Sequence, residues 1–524
     1  MASVGLVMVS WSCAEGSDDS WASGTGGAGT GGANTRPLRD DAALVAADFS
    51  APPPTPVGAA VPADFRLRLE AEDAELGGDA VLGSDPLGSG QAAVDLRDSG
   101  TISWTIQPPS PGAYALVIAA RVEPSFGPKR NTIAVDGVPA GTFGTDESIT
   151  FYEASPVWIE LGAGSATLSL GAAWGYTEID YVELRPIDAG YLAVRPTLVT
   201  PNAGEPARRL MHYLVRQYGR RTLSGQQDMA YARQIYAQTG RYPAVLGVDL
   251  IDYSPSRVQY AAPPNPGATE HALDWYLQSA AAVAVMWHWN APSGLMNTIY
   301  TDSNGRRVDA SWYRGFYTNA TTFDVSLAMA APGSADYALI LRDIDAIAAE
   351  LKRLDRAGVP VLWRPLHEAA GGWFWWGARG PEPYLKLWNL LFDRLTNYHG
   401  LTNLIWVWNG EHPDWYPGDA TVDIVSTDIY AADRDYSPQL ASFGAATYYP
   451  SSPKLVALSE NGVLLDPDRL AETGAAWSWF SLWSGDDFVN NPARNEPAML
   501  QKVYSSDRIV TLDELPNLNT YPLP

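Results

Sequence analysis

Two short segments place carboxyls where acid–base work is possible. The first is Trp363-Arg364-Pro365-Leu366-His367-Glu368, followed by Ala369-Ala370-Gly371-Gly372-Trp373-Phe374-Trp375-Trp376-Gly377. An apolar run over 359–363 ends in His-Glu and then breaks into glycines and four aromatics. A carboxyl among indoles holds its proton near neutral pH, as a general acid must. Aromatic faces also match the C–H faces of a sugar ring. The second segment is Ser459-Glu460-Asn461-Gly462, which closes the apolar run 455–458. Two carboxyls at neighbouring mouths of one fold supply both parts of retaining glycoside hydrolysis, one protonating the leaving oxygen and one attacking the anomeric carbon. A structural salt bridge is the plainer reading of a lone strand-end glutamate. The aromatic flank of Glu368 and the matched Glu460 favour the reactive pair.

His367-Glu368 does not read as a metalloprotease zinc motif, because the second histidine would fall at Gly371 and the segment is a strand end. The other histidines, His212, His271, His288, His399 and His412, show no ligand spacing. His288, in Trp287-His288-Trp289-Asn290, ends another apolar run and is placed to hydrogen-bond a sugar hydroxyl. A buried, satisfied core histidine is its alternative.

The elements that must position these residues alternate strand and helix from about residue 206 onward. Apolar strands are predicted at 244–248, 282–287, 359–363, 404–408, 422–426 and 455–458, with further strands at 222–226 and 479–483. Tyr337, Ile340, Leu341, Ile344, Ile347, Ala348, Leu351 and Leu354 keep a 3.6-residue period that Gly358 stops. A second helix starts at Pro381 and carries Tyr384, Leu387, Trp388, Leu391 and Leu395. Eight strands in this length predict a (β/α)8 TIM barrel over 200–520, with the active site at the C-terminal strand ends. Glu368 then ends strand four, Glu460 strand seven and His288 strand three.

Residues 63–186 have a different rhythm. Short alternating segments separated by Gly, Pro and Asp clusters predict a jelly-roll-like β-sandwich. The chain is thus read as multidomain, with the two units abutting. Glu70 and Glu72, two apart in a predicted strand, would share a face. A solvated face and a Ca²⁺ site are both open readings of that pair.

Composition bounds the partners. With 35 basic against 59 acidic residues the net charge is −24, which repels phosphate backbones, so a nucleic-acid partner is not expected. The 20 tryptophans and 26 tyrosines suit a neutral carbohydrate polymer. Cys13 alone rules out a disulfide framework or a cysteine zinc site, and no stretch approaches the ~20 apolar residues of a membrane span. Residues 1–13 resemble the tail of a bacterial lipoprotein signal with Cys13 as lipid acceptor, although no basic segment precedes the short apolar run. An apolar start with an inert thiol is the alternative. Residues 14–62, rich in Gly, Ser and Thr and then Pro, read as a disordered tether. The Gly24, Gly26, Gly29 spacing within it has no strand or helix beside it and is no nucleotide site. A secreted or cell-surface monomer is expected.

Two resemblances sharpen this reading. Leu69-Glu70-Ala71-Glu72-Asp73-Ala74 and Trp174-Gly175-Tyr176-Thr177-Glu178-Ile179-Asp180-Tyr181 resemble carbohydrate-binding module family 35. That resemblance implies a structural calcium on Glu70, Glu72 and Asp180. It also implies a sugar site in the loops at one end of the sandwich, where Trp174 and Asn131 are the candidates. The loop 121–126 departs from the usual aromatic pattern. Residues 363–377, with Ser459-Glu460-Asn461-Gly462 and Trp287-His288-Trp289-Asn290, resemble glycoside hydrolase family 26, most closely its β-mannanases, over about 206–515.

This second resemblance implies Glu368 as acid/base and Glu460 as nucleophile, with no cofactor for catalysis. His367 would orient the site, Trp373 would contact the sugar next to the cleaved bond, and Tyr430 would hold the nucleophile. Trp483 would be the floor under the reacting mannose, and Trp375 and Trp376 would be wall. Many members carry Arg or His after that tryptophan, and this chain has Ser484, which leaves the endo or exo balance open. The expected activity is a retaining endo-β-1,4-mannanase. The alternatives are a mixed-linkage glucanase, a β-1,3-xylanase, an exo-acting mannobiose-releasing enzyme, or a non-catalytic glycan-binding lipoprotein.

Overall fold

In the computed structural model, residues 61–523 are described apart from 174 and 262–266. Trp174, Cys13 and most of the predicted tether therefore lie outside the described residues. No helix among those described is long and apolar enough to cross a membrane.

The N-terminal unit is a sandwich of two antiparallel sheets. One orders Val157–Leu161, Gly112–Arg121, Glu178–Pro186, Ala92–Asp95 and Val81–Ser84, with Leu67–Glu70 also paired to Glu178–Pro186 and Tyr152–Glu153 to Gly112–Arg121. The other orders Glu75–Gly77, Thr101–Ile106, Ala166–Ala172, Lys129–Val135 and Val138–Thr145. Ile102, Leu116, Ile118, Leu168, Val182 and Leu184, alternating along their strands, close the core between the sheets.

The first predicted strand is corrected here. It ends at Glu70, and Ala71–Asp73 form a 3-10 turn, so Glu70 and Glu72 do not share a strand face. The Trp104 indole donates to the Glu70 carbonyl at 2.9 Å and fully buried Ala71 is drawn inward, which bends the chain out of the ladder.

The C-terminal unit is a closed parallel barrel of eight strands: β1 Gly225–Gln227, β2 Val245–Asp249, β3 Ala282–Met286, β4 Val361–Arg364, β5 Leu404–Trp408, β6 Ile424–Ile429, β7 Leu455–Asn461 and β8 Phe480–Leu482. The first predicted strand divides. Thr222–Leu223 pairs outside the barrel with Ile509–Val510, and only Gly225–Gln227 joins the ring. The helix before β4 runs over Ala335–Arg356 and buries Ile340, Ile344, Ile347, Leu351 and Leu354. Ser334 caps its start, and Gly358 at φ 71° turns the chain toward β4. The helix from Pro381 ends at Asp393, and Leu395 falls in a single π turn beyond it.

The two units meet along a packed seam. Trp158, 2 % exposed, lies against Gly444 on the helix Leu440–Thr447, where a Cβ would overlap its indole. Phe443 and Tyr191 close round the same ring with centroids at 5.6 and 5.1 Å. Glu160 pairs with Arg469 at 2.8 Å and the Trp158 indole donates to Tyr448 Oη at 3.1 Å.

Candidate active site

The barrel gathers the sequence-predicted residues at its C-terminal mouth. β4 ends at Arg364, and the chain turns sharply through Leu366 (φ 53°) and Glu368 (φ 51°), both left-handed. Non-glycine residues hold that conformation only when their surroundings impose it. Here Asn409, just beyond β5, receives the Glu368 amide on both its backbone carbonyl (2.7 Å) and its side-chain Oδ1 (3.0 Å). The turn aims the Glu368 carboxyl into the mouth, where Trp373 Nε1 donates to Glu368 Oε2 at 2.8 Å.

Glu460 is the penultimate residue of β7. The β6–β7 register slips by one, so that Thr427 faces Leu458 while Asp428 faces Glu460, leaving Ser459 as the extra residue of a bulge. Tyr430 donates to Glu460 Oε2 at 2.7 Å. Arg364 grips Glu460 Oε1 with Nη2 and Asp428 Oδ2 with Nη1, the latter at 2.7 Å. One oxygen from each of Glu368, Asp428 and Glu460 lies within 4.8 Å of the others. Such a triad invites a metal, but the oxygens of two of its members are already taken. Both of Glu460 and both of Asp428 accept hydrogen bonds, from Arg364, Tyr430 and Ser459, and the buried guanidinium supplies the positive charge.

Burial pushes the Glu368 carboxyl well above the usual range, and the charges of Asp428, Glu460 and Glu411 push the same way, while the Trp373 donor opposes them. Glu411, just past β5, is raised to about 6, chiefly by burial. Burial also raises Asp428 despite its ion pair with Arg364.

His288 and His367 form a relay behind this cluster. Asp249, at the end of β2, holds His288 Nδ1 at 2.6 Å, and His288 Nε2 meets His367 Nε2 at 3.1 Å. Burial, the Arg364 charge and His288 keep His367 far below the ordinary histidine pKa, so its ring is neutral. Burial alone would raise Asp249, but the His288 contact and its amide donors hold it low. Trp483 is half-buried beyond β8, with its ring 6.1 Å from His288 and 6.5 Å from Tyr430. Trp373 is likewise half-buried, whereas Trp375 and Trp376 are sealed in the wall and donate to the carbonyls of Trp289 and His367.

Arg364, Asp428, Asn409, Glu411 and Asp249 were not singled out from sequence. Each stands at or just past the end of a barrel strand, which is the signal that would have found them.

In the sandwich, Glu70 Oε2 and Asp180 Oδ1 both accept from the Ser89 hydroxyl, at 2.6 and 2.7 Å. Glu72 comes round from the 3-10 turn to the adjacent Gly90, where a side chain would overlap its Oε1. Its Oε2 is buried without a partner. The three carboxylates thus converge on the Ser89-Gly90 loop. Asn131 does not reach the surface. It is fully buried in the strand Lys129–Val135 and donates to Thr177 Oγ1 at 3.0 Å. The rings nearby that do face solvent are Phe126 and Tyr176, 5.5 Å apart.

The comparisons with known proteins follow the same division. Residues 67–187 match the model of carbohydrate binding module family 35, and residues 199–514 match that of glycosyl hydrolase family 26. A mannan endo-1,4-beta-mannosidase of Thermothelomyces thermophilus is 40 % identical over 470 residues, covering 87 % of this chain and 92 % of that protein. Mannan endo-1,4-beta-mannosidase B of Piromyces sp. is 33 % identical over 87 % of this chain and 79 % of its own. The crystal structure of a Podospora anserina GH26-CBM35 β-(1,4)-mannanase superposes with a TM-score of 0.61 at 40 % identity, over 87 % of this chain and all of that one. A ruminal GH26 endo-β-1,4-mannanase superposes at 0.68 with 26 % identity, over 86 % of this chain and 98 % of that one. Barrel, paired mouth carboxyls and matched length agree: the chain belongs to glycosyl hydrolase family 26, with a family 35 carbohydrate-binding module ahead of the catalytic barrel.

Proposed function

We propose that the chain is a retaining endo-β-1,4-mannanase acting by double displacement. The likeness to mannan endo-1,4-beta-mannosidases supports the substrate, and the observation that carries the retaining mechanism is the spacing of Glu368 and Glu460. Oxygens within 4.8 Å of each other suit the short separation of retaining enzymes and leave no room for the water that an inverting pair must hold between them.

Glu368, kept protonated by burial and its neighbours, gives its proton to the glycosidic oxygen. Glu460 attacks the anomeric carbon, aimed by Arg364 on one oxygen and Tyr430 on the other. The covalent mannosyl-enzyme is then opened by water that Glu368, now a carboxylate, deprotonates. Trp373 walls the leaving side and holds Glu368. Trp483 lies under the reacting mannose, and the His288–His367 pair, fixed by Asp249, backs the reacting carboxyls. Incubation with mannan, galactomannan, mixed-linkage glucan and xylan, followed by product sizing, tests the assignment. Internal cleavage of mannan to mixed oligosaccharides supports it, and release of mannobiose alone or preference for glucan or xylan overturns it.

The sandwich is read as the module that keeps the barrel on polymer, with Phe126 and Tyr176 as its exposed aromatic face. Glu70, Glu72 and Asp180 would hold a structural Ca²⁺, a hard cation suited to carboxylate oxygens, and the orphaned Glu72 Oε2 supports this. Chelation should lower the unfolding temperature of the sandwich, and added Ca²⁺ should restore it; indifference to both rejects the site. A polymeric substrate requires work outside the cell. Palmitate labelling that vanishes in Cys13→Ser would establish lipid anchoring.

A further inference from the structure

The loop after β5 carries a carboxylate that neither attacks nor protonates in the scheme above. β5 pairs Val407 with Ile424 and Trp408 with Val425 and then stops, whereas β6 continues to Ile429. Past that point the β5 flank of β6 needs another acceptor for its amides. Glu411 supplies it. Its Oε1 accepts from the Asp428 amide at 2.7 Å and from Thr427 Oγ1 at 3.0 Å. Glu411 sits in the left-handed region at φ 61°, and its own carbonyl accepts from Tyr449 Oη at 3.2 Å, which ties the loop to the barrel.

The opposite flank of the same residue pair is the bulge. There Asp428 faces Glu460, and the extra residue, Ser459, donates from Oγ to Asp428 Oδ1 at 2.7 Å. Asp428 is therefore held on both flanks, with its remaining oxygen on Arg364, whose other nitrogen reaches Glu460.

We propose that Glu411 is a positioning residue for the nucleophile: by capping the Asp428 amide beyond the end of β5 it sets the bulged Asp428–Glu460 pair and, through Arg364, the aim of Glu460. This rests on the reading of Glu460 as nucleophile. The function asked of Glu411 is an acceptor oxygen at a fixed reach. A glutamine has the same length and keeps that oxygen without the charge. An aspartate keeps the charge but falls short by one methylene, and an alanine has neither.

The test uses the full chain and the variants Glu411→Gln, Glu411→Asp and Glu411→Ala. Steady-state kinetics on mannopentaose are read beside the rate of covalent labelling by a 2-deoxy-2-fluoro-β-mannobiosyl fluoride, followed by intact mass. Glu411→Asp and Glu411→Ala should lose about 10- to 100-fold in kcat and in labelling rate with KM within about twofold. Glu411→Gln should stay within about threefold of the parent in both. If alanine prevents folding, the aspartate and glutamine variants decide alone. Aspartate at parental speed, or glutamine as slow as alanine, overturns the proposal. Peptide mapping of the labelled parent separates the two levels: a label on any residue other than Glu460 overturns the nucleophile assignment itself.

Discussion

Trp373 points its indole N–H at Glu368 Oε2 across 2.8 Å, so one side chain both walls the mouth of the barrel and contacts the carboxyl at its centre. That donor favours the charged form of Glu368, against the burial and the three acidic neighbours that favour the neutral one. In Trp373→Phe the opposition is gone and the Glu368 pKa rises further. Because kcat/KM needs Glu368 protonated in the free enzyme, the alkaline limb of its pH profile should move to higher pH, with the optimum rate down about tenfold. A limb that stays put or moves to lower pH contradicts the assignment.

Glu460→Ala should lose on the order of 10⁴- to 10⁶-fold in kcat while retaining mannan binding, because the ring contacts of Trp373 and Trp483 are untouched. Substantial residual turnover, after excluding parental contamination by mass, is the contrary result.

Arg364→Met removes the guanidinium shared by Asp428 and Glu460, both almost fully buried. Two carboxyls then lose their partner in a site that already carries Glu368 and Glu411. Unfolding free energy should fall by about 3–5 kcal/mol and kcat should collapse with it. Denaturant unfolding followed by tryptophan fluorescence measures the first, and a change under about 1 kcal/mol would show the clamp to be dispensable for the fold.

Glu368→Gln is expected to do the reverse to stability. Glu368 keeps its proton in the folded chain at pH values where the unfolded chain has lost it. The folded state then binds more protons, so its stability falls as pH rises from about 4.3, the unfolded carboxyl pKa, toward the raised folded value. A neutral glutamine carries no such penalty. The variant should match the parent near pH 4 and melt several degrees higher near pH 8, though inactive. Equal melting curves across that range contradict the buried-acid reading.

The seam at Trp158 makes a prediction for the module. Trp158→Ala should cost about 3–5 kcal/mol, since the indole is sealed between Gly444, Phe443 and Tyr191. Deleting residues 1–187 would bare the same apolar patch. Activity of that truncation should fall more on insoluble mannan than on mannopentaose once folded protein is counted. Equal loss on both substrates rejects a targeting role.

How much of this was legible before folding follows from where each residue's information lies. Glu368 and Glu460 stood out because each closes an apolar run, one before an aromatic burst and one before Asn-Gly, patterns that a local reading captures. The helix over Ala335–Arg356 was equally plain, since its period and its Gly358 stop are local, whereas the helix from Pro381 was legible at its start but not at its end, where the chain runs on from Asp393 into a π turn. Arg364 and Asp428 carry no such local signal, because an arginine or aspartate in a strand acquires meaning only from what the closed ring sets opposite it. Glu411 was hidden more deeply. Its role depends on β5 ending several residues before β6 does, a relation between two strands that no single segment contains. The Glu70 and Glu72 error has the same origin, for the indole that bends the strand belongs to Trp104, on the other sheet. Asn131 looked like a loop residue and is a buried strand residue, its amide nitrogen donating to Thr177, a partner 46 positions away, while its Oδ1 is buried without a partner.

The central claim is that Glu460 attacks and Glu368 protonates, leaving the anomeric configuration unchanged. Proton NMR of the first products released from mannopentaose, recorded before mutarotation equilibrates them, reads this directly. The account predicts that the β-anomer appears first and the α-anomer grows in only as mutarotation proceeds. An α-anomer at the earliest time points would mean inversion and would contradict the double displacement built on the Glu368–Glu460 pair.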